Sequence, residues 1–421
     1  MSKQIKVLMS AFACEPDEGS EPEVGWQWAT LMARHCDVTV LTQSKNRDKI
    51  EGWMDARGSE APEINFEYHE LPEILRRIKK ISALFNQLYY LAWQKSAQKK
   101  VAEIVDAAGI ELMHHVTYAS FRYPVIKTKL PVIWGPVGGA EICPRHLLLR
   151  NGKMLGVVRE LCRNFMTWSA LKLVRVICPT QKEDRPGLVL ASTPKMQSDL
   201  GRYGIASELF PTIGIDSDAF IEKESPEDQD IIKEGRGLNL IYVGRLHPLK
   251  GLHLVLEALG QINDSKITLS IIGSGSDKGR LEKLVSKFGI EDQVSFEGYV
   301  ERVDLPDWFA RKDVLVATSL YESGGLSVLE AGANGVPAIV LNCGGHALSV
   351  PEDGGYKIDP TSPALSVIDE IAEAIRSYQK SPELIKKHGV ELGKHLNSNY
   401  EWENKSQRML EYYHDVKNKN L

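Results

Sequence analysis

The fold of this chain is decided by one short stretch in its second half, Tyr321-Glu322-Ser323-Gly324-Gly325-Leu326-Ser327-Val328-Leu329-Glu330. A strand-like run at 313–318 precedes it, and an apolar, helix-forming run begins at Leu326. We therefore expect Glu322 on the loop after a strand and Glu330 two turns into the next helix. Amide groups at a glycine-rich helix start bind anions, and carboxylates accept hydrogen bonds from sugar or ribose hydroxyls. The stretch suits a nucleotide sugar.

Positive charge follows another strand earlier in the chain. An apolar run at 238–244 leads to Arg245 and Lys250, after which a helical pattern begins at Leu252. Ligands of open α/β sheets bind beyond the carboxyl ends of the strands, and cations placed there neutralise a diphosphate. The two stretches together indicate one site.

Four motifs in order carry a resemblance. They are Gly-Arg-x4-Lys-Gly at 244–251, Ile-Ile-Gly-Ser-Gly at 271–275, Phe-Glu-Gly-Tyr-Val at 296–300 and the double-Glu segment at 321–330. Over roughly residues 238–345 this series closely resembles the donor-binding half of family 4 glycosyltransferases. In the first half, Gly-Ser-Glu-Pro-Glu-Val-Gly-Trp at 19–26 and Gly-Pro-Val-Gly-Gly at 135–139 resemble one bacterial subgroup of that family.

Strand-like runs alternate with helical patterns in both halves, which predicts an α/β fold with two doubly wound parallel sheets. The resemblance implies the GT-B architecture, two Rossmann-like domains facing a central cleft. We expect an acceptor domain over residues 1–211 and a donor domain over 212–399, with a polar linker at 222–237. In the resembled family, a helix such as the one expected over about 400–421 crosses back onto the first domain.

The length of the chain and the arrangement of its cysteines agree with this two-domain prediction. At 421 residues the chain exceeds what one core usually serves. Six scattered cysteines without a Cys-x-x-Cys pair indicate neither a zinc site nor a disulfide framework. Cytoplasm is the expected compartment.

Charge is unevenly distributed. Residues 1–211 carry 28 Lys and Arg against 23 Asp and Glu, net +5, which leaves 23 against 33, net −10, of the overall −5. Fourteen cations lie at 75–101 and 145–175 among aromatic residues. These segments are either solvated surface or a face that rests on anionic lipid, on the inner face of the cytoplasmic membrane. Nucleic acid is not expected, because no recognised binding motif accompanies the charge.

Within the resemblance, the donor residues have defined roles. Arg245 and Lys250 face the diphosphate, Glu322 holds the transferred sugar and Glu330 the ribose. The nucleoside pocket and the amides that meet the phosphates comprise Gly244, Gly273, Tyr299, Val300, Ser323, Gly324, Gly325 and Leu326. Asp216-Ser217-Asp218 has the form of a metal-binding motif, but its position in the expected linker argues against that role, and no metal is expected.

Three places in the first half are candidates for the other wall of the cleft. Gly19 and Ser20 form an open turn that permits close approach of backbone to a donor. His115 ends the fourth strand near where many family members carry a histidine that touches the transferred sugar; ungapped register places Val116 there instead, and a structural role for His115 stays open. Gly138, Gly139 and Glu141 belong to a rigid loop expected to bind acceptor hydroxyls.

The resemblance implies a retaining glycosyltransferase that needs no cofactor and uses a nucleotide sugar, with a UDP-sugar favoured over a GDP-sugar. The basic, aromatic helices favour a lipid-linked saccharide acceptor, as in surface polysaccharide biosynthesis. Two alternatives stay open: a synthase or phosphorylase acting on a soluble sugar, and a noncatalytic nucleotide-sugar-binding protein.

Overall fold

Two parallel sheets organise the chain in a computed structural model that describes residues 4–18, 20–78, 83–123, 125–151, 154–172, 187–220 and 237–418. The expected linker at 222–237 therefore lies, except for Gly237, outside the described residues. The strands are Lys6–Ser10 (β1), Asp37–Gln43 (β2), Ile64–His69 (β3), Leu112–His115 (β4), Val132–Val137 (β5), Leu188–Ala191 (β6), Glu208–Leu209 (β7), Leu238–Val243 (β8), Ile267–Ile272 (β9), Val294–Gly298 (β10), Val314–Ala317 (β11), Ala338–Leu341 (β12) and Gly355–Ile358 (β13).

Helices connect these strands. The α-helices are Ser20–Met32 (α1), Arg47–Arg57 (α2), Glu73–Ile78 (α3), Ala83–Ala108 (α4), Arg145–Asn151 (α5), Met154–Lys172 (α6), Pro194–Arg202 (α7), Leu252–Ile262 (α8), Lys278–Phe288 (α9), Leu305–Phe309 (α10), Leu326–Ala333 (α11), His346–Ser349 (α12), Ala364–Lys380 (α13), Glu383–Tyr400 (α14) and Trp402–Asn418 (α15).

In each sheet the chain adds strands on one side of its first strand, β1 or β8, and then continues on the other side. The first sheet runs β3-β2-β1-β4-β5-β6-β7 and the second β10-β9-β8-β11-β12-β13, with every pairing parallel. The chain therefore leaves β1 and β4 on opposite sides of one switch point, and β8 and β11 on opposite sides of the other. Crevices open at such points beyond the carboxyl ends of the strands.

The central strands are buried because helices cover both faces of each sheet. All four residues of β11 and of β12 are buried and apolar, and those of β4 are buried although two of them are histidines. The continuous apolar pattern of β11 and β12 is typical of parallel strands and explains why the sequence predicts them well. The prediction of an α/β fold with two doubly wound parallel sheets is confirmed.

The last helix returns to the first domain. Trp402, Met409, Tyr413 and Val416 of α15 belong to the same buried cluster as residues of β1, β2 and α1. The chain crosses between domains twice, and the two crossings pair with each other around a bridge between Ile215 and Glu401. The Ile215 amide donates to the Tyr400 carbonyl at 2.9 Å, and the Trp402 amide donates to the Ile215 carbonyl at 3.0 Å.

A buried lysine fixes these crossings. Lys405 Nζ donates to the carbonyl oxygens of Pro211, at 2.8 Å, and of Ile213, at 2.5 Å. The rings of Trp28, Phe210 and Trp402 surround the amine. Burial lowers the pKa of Lys405 well below its usual value. The crossing segment at 211–215 is thus held to α15 by hydrogen bonds that compensate an otherwise costly buried amine.

Several elements differ from the sequence-based expectation. Helix α1 begins at Ser20, so Ser20 is helical rather than part of the open turn that the sequence predicts. Pro22 is tolerated there because the first helical turn needs no internal N–H donors, and Glu21 and Glu23 favour that end electrostatically. Strand β5 continues through Gly135 and Pro136 to Val137, with a register shift after Trp134 that accommodates the proline, which has no N–H.

Candidate active site

The switch point of the second domain brings Lys250 and Glu322 together. Lys250 follows β8 and Glu322 follows β11, two strands that are neighbours in the sheet but far apart in sequence. Lys250 Nζ lies 2.5 Å from Glu322 Oε2, and both side chains are partly shielded from solvent. The two expected site residues thus form an ion pair at the carboxyl edge of the sheet.

Close backbone contact holds the two loops in this position. The Leu320 amide donates to the Leu249 carbonyl at 2.8 Å, and Thr318 Oγ1 donates to the Gly251 carbonyl at 3.1 Å. Gly251 has a φ of +67°, and a Cβ there would stand 1.9 Å from the Thr318 carbonyl oxygen. A glycine is therefore required beside Lys250 both by conformation and by space.

A second backbone contact supports the loop at 321–325. The Gly345 amide donates to the Glu322 carbonyl at 3.0 Å, and a Cβ at Gly344 would stand 2.0 Å from that same oxygen. Gly325 adopts a left-handed φ of +75° and begins α11. This is the glycine-rich helix start that the sequence predicts. The Ser323 amide donates to Glu322 Oε1 at 3.2 Å, and the Gly325 amide also donates to this carboxylate.

The electrostatics keep Glu322 ionised. Burial alone raises the pKa of Glu322, but Lys250, His346 and hydrogen bonds to the carboxylate outweigh that effect and leave the pKa below its usual value. His346 itself is fully buried against Gly325, and burial lowers its pKa to about 4. At neutral pH the loop therefore presents a carboxylate paired with Lys250 and a neutral imidazole.

Arg245 is open to a ligand. Its carbonyl accepts a hydrogen bond from Tyr242 Oη at 3.0 Å, which fixes the backbone, whereas its side chain is exposed. Within the described part of the chain no hydrogen bond or ion pair engages the guanidinium. Arg245 and Lys250 thus lie on the same loop after β8, with Arg245 available to an anion.

Glu330 lies two turns into α11, as the spacing predicts, but has a partner in the structure. Arg302 Nε lies 2.9 Å from Glu330 Oε1. Burial raises the pKa of Glu330, and the Arg302 charge opposes the shift. A ribose hydroxyl would have to share this carboxylate with Arg302, whose side chain is 62% exposed and therefore free to move.

The loops after β8, β9 and β10 lie side by side. The Gly244 amide donates to the Ile272 carbonyl at 3.0 Å and the Gly273 amide to the Gly298 carbonyl at 2.6 Å. Tyr299 follows Gly298, and its side chain is 70% exposed. Residues expected around the nucleoside are therefore contiguous along this edge. Tyr299 and Val300 also line a pocket of about 470 Å³ together with Glu301, Asp304, Asp307, Trp308 and Arg311.

The first-domain wall differs more from expectation. Gly19 lies outside the described residues, and Ser20 is the first residue of α1. The next residue, Glu21, accepts a hydrogen bond from the Tyr118 amide, which joins the loop after β4 to the helix after β1. Although Glu21 still contacts solvent, the surrounding protein raises its pKa by desolvation. Glu21 belongs to the motif at 19–26, but the sequence predicts no role for Glu21 or Tyr118.

The two adjacent histidines of β4 are both buried. His114 contacts Tyr413 Oη at 2.8 Å and the Gly135 carbonyl at 3.0 Å. His115 Nε2 lies 3.1 Å from Tyr90 Oη, and burial lowers the pKa of its imidazole to about 3. In this structure His115 is 1% exposed, so it does not open onto the cleft, which favours the structural role left open by the sequence.

The loop at 138–141 lies where the domains meet. Gly138 exchanges backbone hydrogen bonds with Ala119 and Phe121. Glu141 is buried and accepts a hydrogen bond from Thr193 Oγ1 at 2.6 Å. Burial raises the pKa of Glu141, opposed by that hydroxyl and by an amide hydrogen bond from Gly344 of the second domain. Its carboxylate is thus engaged in an interdomain contact rather than exposed to an acceptor.

The first-domain wall contains two arginines that the sequence does not predict there, and one of them, Arg163, belongs to the basic segment at 145–175. Arg122 follows β4, and its Nη2 donates to the Gly139 carbonyl at 3.2 Å and to Thr167 Oγ1. Arg163 of α6 lies over the ring of Tyr321, 3.9 Å from its centroid. The sequence gives one signal for Arg122, which is its position after the end of a strand at the switch point.

The expectations about a metal site and about membrane contact concern other parts of the structure. Among the described residues, no group of three or more His, Cys, Asp or Glu side chains is arranged to hold a metal ion. Asp216 precedes a short turn at 217–219, and burial followed by the Asp218 charge raises its pKa. No helix in the described ranges has the length and apolar character needed to cross a bilayer.

Several of the expected membrane-facing cations have carboxylate partners. Arg77, Lys99, Lys100, Arg150 and Arg163 pair with Glu73, Glu103, Glu67, Glu257 and Glu160. Lys79, Lys80, Lys153 and Arg175 lie outside the described residues. Helix α6 nevertheless exposes Val158, Phe165, Met166 and Trp168, with Lys172 over the Trp168 ring.

Comparisons with known proteins agree with this geometry. Residues 224–390 match the family model described as Glycosyl transferases group 1. A D-inositol 3-phosphate glycosyltransferase from Streptomyces griseus is 27% identical over 271 residues, covering 57% of this chain and 56% of that protein. The chain spans about half the length of the curated relatives it matches. The matched part of the chain is therefore similar to group 1 glycosyltransferases.

Solved structures match over nearly the whole chain. A sucrose-phosphate synthase from Thermosynechococcus elongatus has a TM-score of 0.61 at 18% identity and covers 98% of this chain and 99% of its own. Anabaena Alr3699/HepE in complex with UDP has a TM-score of 0.58 at 15% identity, with 98% and 100% coverage. The GT-B fold predicted from the sequence is confirmed by these matches and by the two parallel sheets.

Replacing Gly251 tests the loop contact. In Gly251→Ala the new Cβ meets the Thr318 carbonyl in a left-handed conformation, so the free energy of unfolding should fall by about 2 kcal/mol or more. Urea unfolding measures this. Gly279→Ala is the matched control, because Gly279 lies in α9 with nothing within 4 Å of its Cβ; it should be neutral or stabilising by up to about 1 kcal/mol. Equal stability of Gly251→Ala and wild type would contradict the requirement.

Proposed function

We propose that this protein is a glycosyltransferase that moves a sugar from a nucleoside diphosphate donor to an acceptor hydroxyl. One observation carries the proposal: Lys250 and Glu322 form an ion pair at the switch point of the second sheet, directly before the glycine-rich start of α11. A site with an exposed arginine, a lysine, helix-start amides and a carboxylate suits a ligand that has both phosphates and hydroxyls.

The chemistry assigns each group a task. The bond between the anomeric carbon and the diphosphate oxygen breaks, a bond from the acceptor oxygen to that carbon forms, and the acceptor proton passes to the leaving phosphate. Arg245, Lys250 and the amides of 323–326 stabilise the negative charge that develops on the diphosphate. Such preorganised stabilisation is usually the largest catalytic contribution. Glu322 positions the sugar hydroxyls, and Glu330 receives the ribose when Arg302 moves aside.

The same assignment implies retention of configuration and no metal requirement. Retention follows when the acceptor attacks the face that the diphosphate leaves, which needs no protein nucleophile. Arg245 and Lys250 supply the positive charge that a divalent ion would otherwise bring. We further propose a UDP-sugar as donor and a cytoplasmic site of action.

The acceptor can be of two kinds. The exposed apolar side chains of α6, together with Lys172, favour a lipid-linked saccharide met at an anionic membrane surface, as in surface polysaccharide biosynthesis. The relative named as acting on D-inositol 3-phosphate favours a soluble acceptor instead. A noncatalytic nucleotide-sugar-binding protein is disfavoured, since Arg245, Lys250, Glu322 and Glu330 are all in place.

Loss of either cation should lower turnover without abolishing the fold. With a panel of UDP-, GDP- and ADP-sugars, we expect hydrolysis or transfer with a UDP-sugar, and a fall of about 10²-fold or more in Arg245→Ala and Lys250→Ala. Exposed Lys394, which pairs with Glu391 on α14, provides the control variant Lys394→Ala with unchanged turnover. Activity should survive EDTA. Strict dependence on added Mn²⁺ or Mg²⁺ would overturn the metal-independent assignment.

Membrane association should depend on α6. We expect co-sedimentation with anionic vesicles at low salt that weakens as salt screens the charges. Phe165→Ser combined with Trp168→Ser should reduce binding, because both side chains are at least half exposed and form a pair with ring centroids 5.9 Å apart. Val390→Ser, which changes an exposed apolar residue on α14, is the control. No binding to anionic vesicles at low salt would favour the soluble acceptor, whereas equal binding to neutral and anionic vesicles would contradict the contribution of charge.

A further inference from the structure

The first-domain wall of the cleft contains an unusual pair of cations. Arg122, from the loop after β4, donates from Nη2 to Thr167 Oγ1 of α6, one helical turn after Arg163. Arg163 lies over the ring of Tyr321, the residue directly before Glu322, 3.9 Å from its centroid. The Arg163 charge also lowers the pKa of Arg122. The pair therefore borders the donor loop.

Among the described residues, no carboxylate pairs with Arg122. Burial is the main reason its pKa is lowered, and the groups that act on it besides Arg163 are the phenols of Tyr321 and Tyr123. Its Nη2 donates to the Gly139 carbonyl and Thr167 Oγ1, whereas its Nε is buried and has no partner in the described part of the chain. The side chain is half-buried, and removing part of a cation's hydration without supplying an anion is costly.

The hydrogen-bond donors of Arg163 are also only partly used. Its Nε donates to Glu160 Oε2 at 2.5 Å, but its Nη2 is buried and has no hydrogen-bond partner. Two adjacent guanidinium groups with buried, unused N–H donors form a fork suited to an anion with several oxygens. A phosphate supplies such oxygens and the charge that Arg122 lacks.

We propose that Arg122 and Arg163 form an anion subsite that holds a phosphate group of the acceptor. This proposal rests on the proposed glycosyl transfer, because it takes the group across the cleft from the donor to be the acceptor. Gly139, whose carbonyl binds Arg122, then contributes to the acceptor site by positioning that side chain. The phosphate belongs either to a free sugar phosphate or to the phosphate bridge of a lipid-linked saccharide.

Calorimetry on the full chain tests the subsite in two steps. UDP is titrated first, and inorganic phosphate is then titrated into the UDP-saturated protein. Wild type should bind phosphate, and Arg122→Gln and Arg163→Gln should each weaken phosphate binding at least tenfold while UDP affinity changes less than twofold. Lys394→Gln, which removes an exposed cation from α14, should leave both affinities unchanged.

The outcomes separate the subsite from the general function. Failure of wild type to bind UDP would overturn the proposed donor site, whereas UDP binding without phosphate binding would overturn only the subsite. Loss of UDP affinity in the arginine variants would assign these residues to the donor diphosphate and overturn the acceptor role. Arg122→Lys and Arg163→Lys, which keep the charge but lose the planar fork, should show intermediate phosphate affinity if the variants are folded by circular dichroism.

Competition identifies the source of the phosphate. Displacement of inorganic phosphate by glucose 6-phosphate, but not by a polyprenyl diphosphate in detergent micelles, would assign the subsite to a soluble sugar phosphate. The reverse result would assign it to a lipid-linked acceptor. Displacement by neither compound would overturn the acceptor assignment.

Discussion

The contact between the backbone at Gly251 and the carbonyl of Thr318 sets the position of the whole candidate site. It joins the loop after β8 to the loop after β11, and any side chain at 251 would separate them. With these loops joined, Lys250 reaches Glu322. A third loop, at 343–346, supports the same segment through the Gly345 amide. The residues of the candidate site are therefore placed by backbone contacts at the sheet edge, which suits a site that must be preorganised.

The two domains use the same topology to present different charges. In each sheet the loops after the first strand and after its neighbour across the switch point face the cleft. The second domain contributes Arg245, Lys250, Glu322 and Glu330, a set suited to a nucleotide sugar. The first domain contributes Glu21, Tyr118 and Arg122, joined by Arg163 from α6. The paired crossings at Ile215 and Trp402, held by Lys405, connect the two walls.

The sequence predicts those parts of this arrangement that depend on local pattern. Buried parallel strands such as β8 and β11 are continuous apolar runs, and the spacing of Glu322 and Glu330 places both along one loop and helix. Strand β7 has only two residues and carries no such pattern. Arg122 and Arg163 meet through tertiary packing, and Arg302 reaches Glu330 from 28 residues away. Likewise, the basic segment at 145–175 does not show that Arg150 is neutralised by Glu257, 107 residues later.

A crystal structure of the protein with UDP tests the central claim most directly, because it locates the diphosphate. The account predicts its oxygens within hydrogen-bonding distance of Arg245, Lys250 and the amides of 323–326, and the ribose hydroxyls at Glu330 in place of Arg302. A diphosphate bound on the first-domain wall, or one held away from the Lys250–Glu322 pair, would contradict it.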